Sequence, residues 1–350
     1  MRKFVSTIAF LFLAALAGFA APVPIADIHR SAKDGDVVEI RGTITALGEW
    51  YAMVWDGASG ITVWDTYRRV VGQRGDIVHV RCKVETMTGQ RCARIISLEK
   101  VGFDAKASRP IEVTPGTFSS MSGLENHSIA LSGVIADAFR DECDPNWVYL
   151  VMAPLENHVI VSICDQNRTL NDLDNLIDAE IRAVGNCQCP LWHVPHLIAG
   201  HFVTCFFPSD ITQVQPPPAD PFTLPELVEN EWMQPSNDGH RRTVRGVVLA
   251  QWNKHSFFLK TSDGNRIRVH ANAHVPLPDI GTSVQIAGFP VGNAFSFELE
   301  NALWRLVSSE IDLSETPVDV APHALLFDAQ NRRSIQYGMD GKLIRIRGQV

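Results

Sequence analysis

The 350 residues contain no glycine-rich phosphate loop of the G-x-x-x-x-G-K-[ST] kind, no G-x-S-x-G elbow, no H-E-x-x-H pair and no G-x-G-x-x-G turn. Nucleotide hydrolysis, serine-esterase chemistry, zincin-type proteolysis and dinucleotide binding therefore have no standard signature here. Beyond the N-terminus no apolar run is long enough to span a bilayer. Cations are in deficit: the formal charge is −8, which repels phosphate backbones and weighs against nucleic acid as a partner. Cysteine is absent after Cys205, so disulfides cannot be what holds together any fold that recurs there. The histidines outside residues 193–201 are scattered and no pair of carboxylates is singled out by its surroundings, so no catalytic residue and no cofactor is assigned.

What the chain does have is a repeated phrase, apolar–x–apolar–x–Gly–x–apolar, centred on Gly42, Gly133, Gly246 and Gly348. Such alternation buries one face of a strand and wets the other. A glycine inside the strand marks a bulge or a sharp bend, as at a barrel corner. After Gly42 the runs Tyr51–Trp55 and 61–64, joined by the turn-prone residues 56–60, predict a hairpin. A fourth strand is expected at 77–80 and a fifth at 95–98. The unit around Gly246 repeats this order, with strands at 257–260 and 267–269 about the turn Asp263-Gly264-Asn265, then 284–286 and 303–306. The unit around Gly133 diverges: its hairpin falls at 147–151 and 159–161. Leu170, Leu173, Leu176 and Ile177 then predict a short helix before a fourth strand at 181–185. Five strands with a bent first strand fit an all-β chain of small OB-like Greek-key barrels in tandem. An immunoglobulin-like sandwich needs about seven strands per unit.

The expected organisation is a signal peptide over 1–20, OB-like modules over 22–103, 120–212 (divergent) and 226–309, and the start of a truncated fourth module over 317–350. Arg2 and Lys3, the apolar stretch 4–16 and small residues up to Ala20 form the leader. The mature chain is thus read as exported, in a compartment where its seven cysteines are free to oxidise. The joints at 110–115, 215–225 and 317–322 are rich in proline, which suits stiff extended connectors.

The order of glycine strand, hairpin with Asp-Gly, Gly-Asp plus strand and closing strand is carried by residues 38–44, 55–63, 75–80, 244–248, 263–269 and 281–288. It resembles the OB-like repeats in the extracytoplasmic part of certain bacterial membrane sensor histidine kinases. That resemblance implies a sensory region of a two-component system, tethered to the membrane only through sequence beyond Val350 and homodimeric if it belongs to such a kinase. It implies no enzyme activity for residues 1–350. Two alternatives stay open: a free secreted protein that binds carbohydrate or another macromolecule, and an exported enzyme with its site in the second module, where His193, His196 or His201 would meet a carboxylate.

Three groups of side chains are candidates for more than packing. Trp50, Tyr51 and Trp64 surround the first hairpin, and Trp252 follows Gly246 by six residues, close to the offset of Trp50 after Gly42. On OB barrels the face of strands two and three is the usual binding surface, so these four are the expected contacts for a small molecule, glycan or protein ligand. Cys187, Cys189, His193 and His196 offer thiolate and imidazole donors for a metal, although their spacing is not that of a standard finger. Cys82 with Cys92, and Cys205 with Cys187 or Cys189, are the disulfide candidates.

Overall fold

A Cβ placed on Gly42 would lie 2.6 Å from the carbonyl oxygen of Trp55, and one on Gly246 would lie 2.4 Å from that of Lys260. Only a residue without a side chain lets the first strand pass so close to the second. The computed structural model describes residues 21–48, 50–67, 70–87, 90–106, 109–120, 124, 127–155, 159–188, 202–205, 207–228, 238–292, 297–308, 317–326 and 341–348. The first barrel comprises β1 (Val37–Leu47), β2 (Tyr51–Trp55), β3 (Gly60–Trp64), β4 (Asp76–Met87) and β5 (Gln90–Phe103), closed in the order β1-β2-β3-β5-β4. Strand β1 pairs with β4 as far as Thr43 and with β2 from Thr43 onward. The glycine therefore stands where one strand begins to serve two neighbours.

The third barrel repeats this arrangement with β13 (Arg242–Trp252), β14 (Ser256–Thr261), β15 (Arg266–Ala271), β16 (Ser283–Gly292) and β17 (Phe297–Leu306), closed as β13-β14-β15-β17-β16. The middle sheet adds β6 (Ile111–Val113), β7 (Ser128–Arg140), β8 (Trp147–Met152), β9 (Val159–Cys164), β10 (Glu180–Gln188), β11 (Phe202–Cys205) and β12 (Ile211–Gln215). A β10–β7 pairing closes its five central strands in the same order, with β6 and β12 added outside the ring. The architecture is three closed five-stranded barrels in tandem, with the strand order of an OB-like fold.

A bulge recurs at one offset in all three. The register skips a residue between Ile44 and Ala46, between Ile135 and Asp137, and between Val248 and Ala250, each two residues past the glycine of the repeated phrase. In the middle barrel Gly185 of β10 also makes a close approach, 2.5 Å from the Thr204 carbonyl oxygen to its would-be Cβ. The Asp-Gly turns of the two outer barrels match as well, with Gly57 at φ +101° and Gly264 at φ +85°, a backbone region that glycine adopts freely.

Helix α1 (Ile25–Ser31) precedes the first barrel and buries Ile25 and Ile28 completely in its core, beside Ile40, Ile44 and Val54. Full burial of each isoleucine contributes about 1.5–3 kcal/mol. Its N-terminus has no side-chain cap of its own. Instead the Ile25 N–H donates to Asp56 Oδ2 at 2.7 Å, and His29 Nε2 lies 2.9 Å from the Gly60 carbonyl oxygen. A second short helix, α2 (Pro115–Ser120), follows β6.

Two expectations are corrected. Residues 170–181 do not form a helix; they hold one 3-10 turn, Asp174–Leu176. Asn171, Asp172, Asn175 and Asp178 are poor helix residues, and Asp178 takes a positive φ of 71°. Cys82 and Cys92 are free thiols because the β4–β5 register sets Cys82 opposite Ile95 and Cys92 opposite Glu85. Among the described residues of 317–350 the only strands are a short parallel pair, β18 (Val318–Asp319) with β19 (Ile344–Arg345). A Cβ on Gly348 would meet none of the described residues within 4 Å. The leader at 1–20 lies outside the described residues. No described helix is long and apolar enough to cross a membrane.

The chain divides into two compact units. One holds Met1–Ser132, Val161–Thr169 and Arg182–Thr212; the other holds Gly133–Ile160, Leu170–Ile181 and Gln213–Val350. The first barrel falls in the former, the third in the latter, and strands of the middle barrel belong to both. Within the first unit the Arg74 guanidinium donates to the Val184 carbonyl oxygen (3.0 Å) and to Asp210 (3.4 Å), and the Trp55 ring stacks on His127 with centroids 4.5 Å apart. Within the second, Phe289 is buried against Val134, Ala136, Ala153 and Ile177, with the Arg241 guanidinium 4.7 Å over its ring.

Candidate functional site

The site is built on the third barrel, inside the second unit. In β14 and β15 the residues Phe257, Leu259, Ile267 and Val269 fill the core. Alternation therefore turns Phe258, Arg268 and His270 outward. Register sets Phe258 opposite Arg268, and Ser256 opposite His270. Strand β17 runs parallel to β15, with Arg268 beside Glu298 and Val269 beside Leu299. Leu299 is fully buried, so Glu298 and Glu300 on either side of it share the outer face. Trp252, at the end of β13, closes the group: its ring lies 4.7 Å from Phe258 and meets His270 edge-on at 6.0 Å.

The polar groups of this face are ordered by specific contacts. Ser256 Oγ lies 2.9 Å from His270 Nδ1, while His270 Nε2 faces Glu298 Oε2 at 3.4 Å and Glu300 Oε1 at 3.8 Å. Arg268 donates to the other Glu298 oxygen, Oε1, at 3.3 Å, with its guanidinium 5.7 Å over the Phe258 ring. Burial pushes the Glu300 carboxyl above its ordinary range; His270 opposes that rise, and Glu298 and Asp137 add to it. Asp137 is raised for the same leading reason, burial.

Glu300 also lines an open cleft of about 850 Å³ together with Asp137, Phe139, Asp174, Asn272 and His274. One edge of the cleft is fixed by Asn301, whose backbone is held at a positive φ of 46°. Its amide nitrogen donates to the Ala136 carbonyl oxygen at 2.9 Å and its amide oxygen accepts from Asn272 at 2.7 Å. Arg241 also donates to the Asn301 carbonyl oxygen at 3.1 Å, and it lies 3.5 Å from Asp178, which is fully buried and accepts from His240 Nδ1 at 2.9 Å. At the opposite end of the face Gly341 sits against Arg266 and Phe258, where a Cβ would come within 2.9 Å and 3.1 Å of their side chains.

The expected contacts fall on two separate faces. Tyr51 and Trp64 are cross-strand partners in the first barrel. The Tyr51 ring folds over Gly48, and burial raises its phenol well above the ordinary value, helped by Cys164. Trp50 stands just before β2, at the open end of that hairpin where its carbonyl oxygen accepts from the Asp65 N–H, and is 40% exposed. Trp252 is the one of the four that joins a cluster of ionisable groups. Phe258, His270, Glu298 and Glu300 were not singled out by their sequence, since His270 and Glu298 meet only through the β15–β17 pairing. The usable signal was the polar spacing of Arg266, Arg268 and His270, repeated by Glu298 and Glu300. Cys189, His193, His196 and His201 lie outside the described residues. Cys187 and Cys205 are both buried, and Cys187 pairs in register with Val203, two residues short of Cys205.

The strand order defines an all-β chain of tandem OB-like barrels, and the third carries an outer face of aromatic and ionisable side chains. No protein-family model matches it, and no curated protein does. Among solved structures it is similar to a replication protein A heterotrimer bound to single-stranded DNA, at 10% identity over 81% of this chain and 80% of that one, with a TM-score of 0.27. The tetrameric p202 HIN2 is 12% identical over 53% of this chain and 98% of its own, with a TM-score of 0.26. An aspartyl-tRNA synthetase from Leishmania major is 9% identical with a TM-score of 0.26, and the chain spans 26% of its length. Likenesses this low carry no argument about ligand, and the fold assignment rests on strand order.

Proposed function

We propose that the chain is a non-catalytic, extracytoplasmic binding region that takes a neutral polyhydroxylated ligand, a glycan, at the Trp252 end of the third barrel. The observation that carries this is the joining of a half-buried aromatic pair, Trp252 with Phe258, to Glu298, Glu300 and His270 on one outer face. An aromatic ring takes the C–H face of a sugar, and carboxylates accept its hydroxyl protons. Asp137 and Asp174 in the adjoining cleft extend the row of acceptors and repel anions. The leader at 1–20 and the resemblance of the repeats to kinase sensor regions support sensing of that ligand outside the cytoplasm as the role. Oligosaccharide binding read by calorimetry on the full chain tests it. Binding of at least one glycan class that is lost in Trp252→Ala, with the fold retained, is the expected outcome; absence of binding across neutral oligosaccharides refutes the reading.

A second reading has its own observation. Lys260 pairs with Arg266, and Phe258 with Arg268, giving cations beside an aromatic ring, as single-stranded nucleic acids require. A strand running along that row would have to displace Gly341 from Phe258 and Arg266, so the glycan reading ranks first. Salt-dependent binding of a labelled oligonucleotide, weakened by Arg268→Ala, would reverse the order.

A further inference from the structure

We infer that His270, Glu298 and Glu300 form a binding site for a divalent transition-metal cation, of the zinc or manganese class, that leaves coordination positions open toward the cleft. The inference goes beyond the binding role above and does not depend on any glycan. One donor atom from each of the three residues lies within 4.8 Å of the other two. Ligands about 2.0–2.2 Å from a tetrahedral cation stand about 3.3–3.6 Å apart. The separation of His270 Nε2 from Glu298 Oε2 is 3.4 Å and from Glu300 Oε1 is 3.8 Å. The first already matches such an edge, and the second closes with a small rotation of the Glu300 side chain.

The competing account is an imidazolium ion-paired with both carboxylates. Charge-assisted hydrogen bonds from nitrogen to carboxylate oxygen run about 2.7–2.9 Å, and both separations exceed that. The surroundings also suit a cation. Ser256 Oγ holds Nδ1, the outer contact that typically orients a metal-binding histidine and fixes which nitrogen carries the proton. Arg268 donates to Glu298 Oε1, and Oε2 faces His270. Glu298, Glu300 and nearby Asp137 outnumber Arg268, so a divalent charge is locally compensated. One imidazole with two carboxylates is a donor set for zinc or manganese rather than for cations that favour thiolates. Glu300 lines the cleft, from which water or a ligand donor completes the coordination.

The probe is manganese(II) alone, chosen because residues 187–205 carry thiols that would compete for zinc. The full chain, metal-free and labelled with 15N at tryptophan, is titrated with manganese while indole signals are followed. Selective paramagnetic broadening of Trp252 at about one equivalent is expected. Ser256→Ala should weaken binding about 10–100-fold, as loss of an outer contact does. His270→Ala and the near-isosteric Glu300→Gln should each abolish the site-specific broadening while the remaining tryptophan signals stay dispersed; Glu300→Gln keeps the test decisive if His270→Ala misfolds. No broadening of Trp252 at millimolar manganese, or broadening that survives Glu300→Gln, overturns the inference.

Discussion

Replacing Gly246 with alanine tests the architecture at its narrowest point. The new methyl would lie 2.4 Å from the Lys260 carbonyl oxygen and 2.6 Å from Leu259 Cγ, where ordinary contacts are 3.4–4 Å. Both obstacles sit in β14, one of them backbone, so relief requires β13 and β14 to part by about 1 Å, far up the repulsive wall. Overpacking of this kind costs about 1–3 kcal/mol, and stretching one or two ladder hydrogen bonds adds about 1 kcal/mol each. A total near 2–5 kcal/mol raises local opening about 30- to 4000-fold, at about 1.4 kcal/mol per factor of ten. Three barrels do not unfold as one two-state system, so the assay is amide hydrogen exchange of the full chain, read on peptides from residues 242–261. Gly42→Ala, with a methyl 2.6 Å from the Trp55 carbonyl oxygen, should speed exchange in residues 37–55 in the same way. Gly116→Ala is the control: its Cβ meets nothing within 4 Å, and reduced freedom of the unfolded chain should leave stability unchanged or raised by about 0.4–1 kcal/mol. Exchange over 242–261 within threefold of wild type in Gly246→Ala would refute the reasoning.

The buried charges around Asp178 make a second prediction. The hydrogen bond that His240 donates to Asp178 raises the His240 pKa, against an opposing effect of burial, above the ordinary value of about 6.5. Its contribution is therefore complete below that ordinary value and fades as pH rises through the raised one; an NMR titration midpoint for His240 at or below 6.5 contradicts this. Asp178→Asn strands Arg241, which is 5% exposed, at a cost of about 3–5 kcal/mol. Adding Arg241→Met should restore most of that stability, and a double variant no more stable than the single one would show that the pair is not coupled. Burial pushes the Cys82 thiol up to about 12 and raises that of Cys205 still further, whereas Cys143 is exposed. Alkylation of the native chain should mark Cys143 and spare Cys82 and Cys205. In denaturant without reductant Cys82 and Cys92 should both react, and a need for reductant at either would restore the disulfide.

The barrels were legible because their signals are local. Alternation, Asp-Gly turns and a glycine that recurs in each copy survive in a single sequence and point to five strands per unit. The bulge after each glycine was not legible, because Thr45, Ala136 and Leu249 share no residue type that marks them as skipped. Helix α1 escaped notice because it is seven residues long and borrows its N-terminal acceptor from Asp56, some 31 residues away. The helix expected over 170–181 failed for the opposite reason: leucine spacing outweighed the asparagines and aspartates between them. Of the candidate site, Trp252 could be reached from its distance to Gly246. His270 and Glu298 could not, since 28 residues separate them and one parallel pairing brings them together.

The Asp-Gly turn shared by the first and third barrels also bears on how such a chain avoids tangling. Two units alike down to their irregularities present interchangeable edges while they are being made, and β1 of one could seat itself against β16 of the other. Strand exchange between sibling repeats is a characteristic failure of tandem proteins. Here the least similar copy lies between the two most similar ones. Nascent neighbours along the chain are therefore poor substitutes for each other, and divergence of the central copy acts as insulation during assembly.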